Sequence, residues 1–436
     1  MMTDRTGRRL DYLDAVRSFA LLLGIIFHAS LSFMPIFIGW AVMDINTSEV
    51  VSIFVLISHS FRMPLFFLIA GFFTCMSLSR KPAQDFVQSR LIRIAIPFCV
   101  LWFVLRPLLV SGWILGAQSM QGDVDILASL QQGFATLGNL PSGLWVGTHL
   151  WFLYYLLLIT FSVLVVRYAV TRWTWLHNAL ITVGDKAVMA LCGLVSTGDK
   201  HTLSTVKTAL ARLRSGTKPV LSWAIVILFT VASLWFMQSW GVDTPDKSLV
   251  PNIPVFILYG GCFLVGFALF RIPQAIEAFG QLNTVRLVVC VAAVIGAIVL
   301  SPYEMQKGHA YYIWLKLGYT VSYAIMMWML IGLTIGGCKK LFSNPSSVVR
   351  YIADASYWLY LIHLPIVVWL QIAFAELPLH WAIKWISVSG LTVIIGLISY
   401  HCLVRHSLIG FILNGKKVPK GTKGEQVIPT ALSAKD

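Results

Sequence analysis

The chain has 436 residues, of which 58% are hydrophobic and only 12% charged, with a mean hydropathy of +0.79. A soluble domain carries about 25% charged residues, so this composition excludes a soluble fold and predicts an all-α, polytopic integral membrane bundle of about ten transmembrane helices. The formal net charge of +15 does not point to nucleic acid, because the basic residues lie in short gaps between apolar runs rather than on one exposed face. Cys75, Cys99, Cys192, Cys262, Cys290, Cys338 and Cys402 lack metal-type spacing and read as packing residues, and no metal site is expected.

Apolar runs long enough to cross a bilayer are expected at about 13–38, 50–79, 91–116 and 148–168, then at about 219–240, 252–271, 284–301, 310–336, 351–374 and 380–404. The first run is too long for a cleavable signal and is expected to remain as an anchor. Lys and Arg alternate with the connecting segments: 26 fall on the side of the N-terminus and three, Lys247, Lys307 and Lys384, on the other. This bias predicts cytoplasmic N- and C-termini and an even number of spans. The whole chain reads as one membrane domain, 1–436, with a basic cytoplasmic insert at 169–218 and a basic tail at 405–436. Asp185 and Lys186 interrupt the apolar part of the insert, which reads as an interfacial amphipathic segment, with a re-entrant hairpin as the alternative.

Ionisable residues inside spans cost about 2.5 to 3.5 kcal/mol on insertion scales, which makes them candidate functional residues. In the first span Asp14 and Arg17 lie one turn apart near the inner end, where they can also form a local ion pair. His28 follows Arg17 by eleven residues, about 16 Å further along a helix. The second span carries His59 and Arg62 on one face at a similar depth, and the ninth brings Ser356, Tyr360 and His363 along one stripe. Arg90 and Arg93, in "RLIR", open the third span and suit phosphate oxygens, although taken alone they read first as positive-inside anchors. Trp151, in "THLWFL", reads as a pocket wall or as an interfacial anchor.

Five ordered segments, "YLDAVRSFALLLGIIFHASL", "HSFRMPLFFLIAGFF", "RLIR", "THLWFL" and "ASYWLYLIHLP", resemble the acyltransferase-3 family of membrane acyltransferases. Together with the tail "FILNGKKVP" they are most similar to the branch that succinylates osmoregulated periplasmic glucans. The resemblance implies transfer of an acyl group from cytoplasmic acyl-CoA, with succinyl-CoA as co-substrate and no permanently bound cofactor, to a glucan hydroxyl at the outer face of the inner membrane. It implies a catalytic His28, with Asp14 and Arg17 beside it in the same motif, and donor binding by Arg17, Arg90 and Arg93. His59, Arg62, Trp151, Ser356, Tyr360 and His363 are then expected to line the acceptor or acyl pocket. Partners are the lipid bilayer, acyl-CoA, the glucan acceptor and the glucan synthesis machinery. The long basic insert is larger than that branch leads one to expect. Transfer of acetyl or another acyl group to a different envelope polysaccharide is the nearest alternative. A proton-coupled transporter is the alternative of another class, but it requires inverted repeats that the chain does not display.

Overall fold

The computed structural model describes residues 11–122, 124–138, 148–173, 219–238, 241–344 and 346–414. Among them are helices and connecting loops but no strand. Nine helices, among the described residues, are long and apolar enough to cross a membrane. They are α1 (Asp11–Ser30), α2 (Glu49–Leu78), α3 (Ala83–Ser119), α5 (Trp151–Arg172), α7 (Ile253–Arg271), α9 (Thr284–Leu300), α10 (Tyr312–Leu341), α11 (Ser347–Ala375) and α12 (Trp381–Ser399). The fifth expected span is the shorter α6 (Pro219–Trp235) of 17 residues, ending before the expected boundary at 240. At about 1.5 Å per residue it falls a few ångströms short of a ~30 Å hydrocarbon core. The protein is therefore a multi-pass membrane bundle.

Three short helices complete the described chain: α4 (Ile126–Ala135), α8 (Pro273–Phe279) and α13 (Leu408–Asn414). The sequence reading did not anticipate α4, which Asp125 caps by accepting a hydrogen bond from the Ala128 N–H at 2.8 Å. Most of the basic insert, from 174 to 218, and the tail beyond 414 lie outside the described residues.

α1 is the central helix, packed against α2, α10, α11 and α12. α9 and α12 are peripheral: only 17% and 22% of their apolar windows are buried, so their remaining apolar side chains face lipid. Small residues permit the closest crossing in the bundle, between α2 and α7. A Cβ on Gly71 would overlap the Phe263 carbonyl, and one on Gly266 would overlap the Leu68 carbonyl. In lipid, where burial of apolar surface drives little helix association, such backbone approach is a principal source of packing energy.

The end of α1 shows how a helix can stop inside the bundle. The last four carbonyls of a helix lack intrahelical donors, and at this depth water is scarce. Here side chains supply the donors. Trp385 Nε1 donates to Ile26 O at 2.9 Å, Ser30 Oγ to Phe27 O at 2.7 Å, and the Gln371 amide to His28 O at 3.0 Å and Ala29 O at 3.1 Å. This local capping fixes the turn that carries His28.

Candidate functional site

The site is built outward from His28, in the last two turns of α1. Its ring lies 5.3 Å from that of His363 on α11 and 5.8 Å from the nearly parallel indole of Trp40, with centroids as reference. Phe27, next to it, stacks on His59 of α2 at 5.7 Å and receives the Arg62 guanidinium 4.1 Å from its ring centre. The structure thus gathers His28, His59, Arg62 and His363, from three helices expected to share one depth. It adds a fourth histidine, His149, whose ring meets His363 edge-on at 5.6 Å.

Two prolines explain part of this arrangement. A proline in a helix removes the N–H that would satisfy the carbonyl four residues earlier. Pro365 on α11 frees the Leu361 carbonyl, and His149 Nε2 donates to that oxygen at 2.9 Å. Tyr360 Oη in turn donates to His149 O at 2.7 Å, so α11 holds the start of α5 by two bonds. Pro97 likewise frees the Arg93 carbonyl on α3, which accepts from Tyr357 Oη at 2.8 Å.

The histidine hydrogen bonds also settle which nitrogens carry protons, since a backbone carbonyl can only accept. His59 donates through Nε2 to Val242 O at 2.8 Å, His149 through Nε2 to Leu361 O, and His363 through Nδ1 to Tyr360 O at 2.7 Å. His28 makes no such bond: its Nδ1 is buried without a protein partner, as are the Nδ1 atoms of His59 and His149, whose rings bond through Nε2 instead. Arg62 is also poorly partnered. It is 6% exposed, its Nε has no partner, and its Nη1 makes one long hydrogen bond, 3.4 Å, to Gly24 O. No carboxylate among the described residues forms an ion pair with it. A buried, unpaired cation is costly, and a bundle retains it where negative charge is to be met.

A second cluster lies toward the other end of α1. Arg17 pairs with Asp14 at 3.6 Å, and Arg90 lies within electrostatic reach of Arg17 and Arg93. Neither Asp14 nor Arg17 reaches the His28 ring: α1 is continuous between them, and eleven residues separate Arg17 from His28 by about 16 Å. α3 does not pass "RLIR" as a regular α-helix. Leu91–Ala95 is a π-helical segment, a widened turn that often accompanies functional sites. Arg90 lies over Phe86 at 4.8 Å. Tyr357, Tyr360 and His363, spaced by 6.5 and 6.1 Å, form a stripe along α11 from this cluster to the histidines.

The remaining expected pocket residues are spent on packing. Ser356 Oγ donates to Ala353 O of its own helix at 2.7 Å. Trp151 stacks on Tyr259 at 5.8 Å and meets Tyr155 edge-on, forming part of a buried aromatic wall. Trp40, Tyr357, His149 and Gln371 were not singled out from sequence. His149 lies within the quoted segment "THLWFL", and Pro365, which leaves a carbonyl in need of a donor, is the structural reason for its position. Among the described residues, no three His, Cys, Asp or Glu side chains converge as metal ligands do.

Comparison with known proteins gives the family of the chain. An acyltransferase domain model, Acyl_transf_3, matches residues 10–197 and 203–401. The chain is 23% identical to Glucans biosynthesis protein C of Escherichia coli strain K12, over 95% of this chain and 96% of that relative. The proteins of that name from strains HS and SMS-3-5 match at the same identity and coverage. No solved structure matches the chain. With a family model spanning nearly its whole length and a histidine-centred site inside a helical bundle, the chain belongs to the acyltransferase-3 family and is a multi-pass membrane acyltransferase.

Proposed function

We propose that the protein transfers a succinyl group from succinyl-CoA, on the side of the arginine cluster, to a hydroxyl of a periplasmic glucan arriving from the opposite end of the bundle. The bias of Lys and Arg toward the segments on the side of the termini supports a cytoplasmic placement of both tails and of the arginines. The bacterial inner membrane is the bilayer in which such a donor and acceptor are found on opposite sides. The observation that carries the reading is the pairing of a buried, unoccupied His28 nitrogen with an unpaired Arg62, connected by the α11 stripe to Arg17, Arg90 and Arg93.

In the proposed reaction His28 takes the proton of the glucan hydroxyl as its oxygen bonds to the thioester carbonyl carbon. The carbonyl oxygen becomes an oxyanion, which Arg62 stabilises through fixed donors in a water-poor setting, the His59 N–H being committed to Val242 O. The carbon–sulfur bond then breaks, and His28 returns the proton to the departing thiolate, leaving an ester and coenzyme A. The alternative role for Arg62 is to hold the distal carboxylate of a succinyl group instead. Arg17, Arg90 and Arg93 supply charge for the phosphates of coenzyme A. No residue is assigned to the resting state of a bound cofactor, since acyl-CoA enters and leaves as co-substrate.

The test is coenzyme A release by purified full-length protein given succinyl-CoA with and without glucan, alongside mass spectrometry of periplasmic glucans from a deletion strain. Acceptor-dependent release and loss of the succinyl increment are the expected results. Release from acetyl-CoA in preference, or a different missing substituent, would change the acyl group or acceptor. Normal glucan modification by His28→Ala would overturn the assignment of the base.

A further inference from the structure

Between α1 and α2 the chain does not turn back directly. Residues 34–48 cross the end of the bundle, and they are tied down to an extent that a simple connection does not need. Asp44 N donates to Ser32 O at 2.9 Å and Ser48 N to Phe33 O at 3.0 Å. Asn46 Nδ2 reaches the Leu379 carbonyl at 3.0 Å, beyond the end of α11. The Ala41 carbonyl sits so close to Gly116 of α3 that a Cβ there would overlap it. The strongest tie is a fully buried ion pair: Lys384 Nζ contacts Asp44 Oδ1 at 2.8 Å and Oδ2 at 3.0 Å and donates to the Ala375 carbonyl at 2.9 Å. Burial pushes the Asp44 carboxyl up, and the two hydrogen bonds from Lys384 oppose that shift. Such a pair is weak evidence for stability but a strong constraint on geometry.

What this anchoring holds in place is Trp40. Its indole lies nearly parallel to the His28 ring, at 15° and 5.8 Å, and its Nε1 donates to Gln371 Oε1 at 2.8 Å. Gln371 is the same residue that caps the α1 carbonyls of His28 and Ala29. Trp113 meets the indole edge-on at 5.3 Å. Trp40 therefore covers one face of the half-buried His28, on the side where residues 34–48 cross.

We propose that residues 34–48 form a strap that keeps bulk water from His28, and that Trp40 decides which nucleophile reaches it. The inference rests on the proposed thioester donor and His28 base. The chemistry requires such a device, because water is the competing nucleophile. It would give its proton to His28 as its oxygen bonds to the carbonyl carbon. The carbon–sulfur bond would break, and His28 would protonate the thiolate, giving free acid and coenzyme A. Exclusion of water is a general way for a site to suppress this side reaction. In this protein the flat indole beside the base supplies the cover, and an acceptor ring must slide past or displace it.

The test compares wild type, Trp40→Ala, Trp40→Phe and Asn46→Ala, as full-length protein in nanodiscs of defined lipid. Succinyl-CoA is the probe, and coenzyme A release is measured without acceptor. Trp40→Ala is expected to raise acceptor-independent release severalfold while lowering acyl transferred per coenzyme A released, with Trp40→Phe and Asn46→Ala showing smaller leaks. Addition of His28→Ala should abolish the leak. A merely structural defect would lower release and transfer together, and that result overturns the strap. Carbethoxylation of His28 by diethyl pyrocarbonate, read by peptide mass spectrometry, needs no activity. It should be slow in wild type and severalfold faster in Trp40→Ala, and equal rates also overturn the proposal. Failure of the underlying reading is distinct: wild type would then show no acceptor-dependent release at all.

Discussion

The two cationic regions of this bundle are built on opposite terms. Near the start of α1, Arg90 is repelled by Arg93 and Arg17, all three remain partly exposed, and Arg17 has Asp14 as an ion-pair partner. Around His28, Arg62 is buried and has neither a crowd of like charges nor an ion pair among the described residues. The first arrangement suits a polyanion that arrives with its own charge and leaves again. The second suits charge that exists only while bonds are changing, because a permanent counter-ion would cancel the field a transition state needs. Under the proposed function, that difference is one between holding a donor and acting on it.

His28→Ala should have the largest effect, lowering acyl transfer by about 10²–10⁴-fold, the range general-base removal commonly gives. Turnover at saturating donor and acceptor measures it. Arg62→Met should lower kcat by about 10²–10³-fold with little change in KM for the donor, as loss of an oxyanion donor does. Partial recovery in Arg62→Lys would support a role of charge, and an unchanged kcat would remove Arg62 from the chemistry. For Arg90→Ala the contrast reverses. KM for acyl-CoA should rise about tenfold to a hundredfold, the equivalent of about 1.4 to 2.7 kcal/mol of a charge-assisted bond, while kcat stays nearly constant. A fall in kcat instead would dissolve the division between the two regions. Ser356→Ala should have the smallest effect, within about 1 kcal/mol of stability and no resolved change in kcat, because its hydroxyl bonds its own helix.

Much of this site was legible because helices convert counting into depth. The step of eleven positions from Arg17 to His28 gives an axial distance without a structure, and the i to i+3 spacing of Tyr360 and His363 gives a shared face. What escaped lies where no period exists. Residues 34–48 have neither helical nor strand alternation, and Trp40 is one of 16 tryptophans. Lys384 counted as a sparse basic residue near the far surface, yet it is completely buried against Asp44, 340 positions away. A pair so distant has no local signature. The shortfall of α6 and the start of α3 at Ala83 are boundary effects of reading hydropathy, which senses apolar composition rather than hydrogen-bonded ends.

The π-helical turn at Leu91–Ala95 has a consequence for how this protein can vary. A π turn is an α-helix carrying one residue more than its ladder requires, so deleting a single residue there would let the helix relax to ordinary geometry. Because the widened turn takes up the extra residue, the helix on either side would keep its facing, and Arg90 its place within reach of Arg17. A deletion in the regular part of α3 has no such reserve and would swing one side about 100° around the axis relative to the other. Point substitutions can be absorbed one at a time along most of this chain, but in α3 a change of length is absorbed most readily within these five residues.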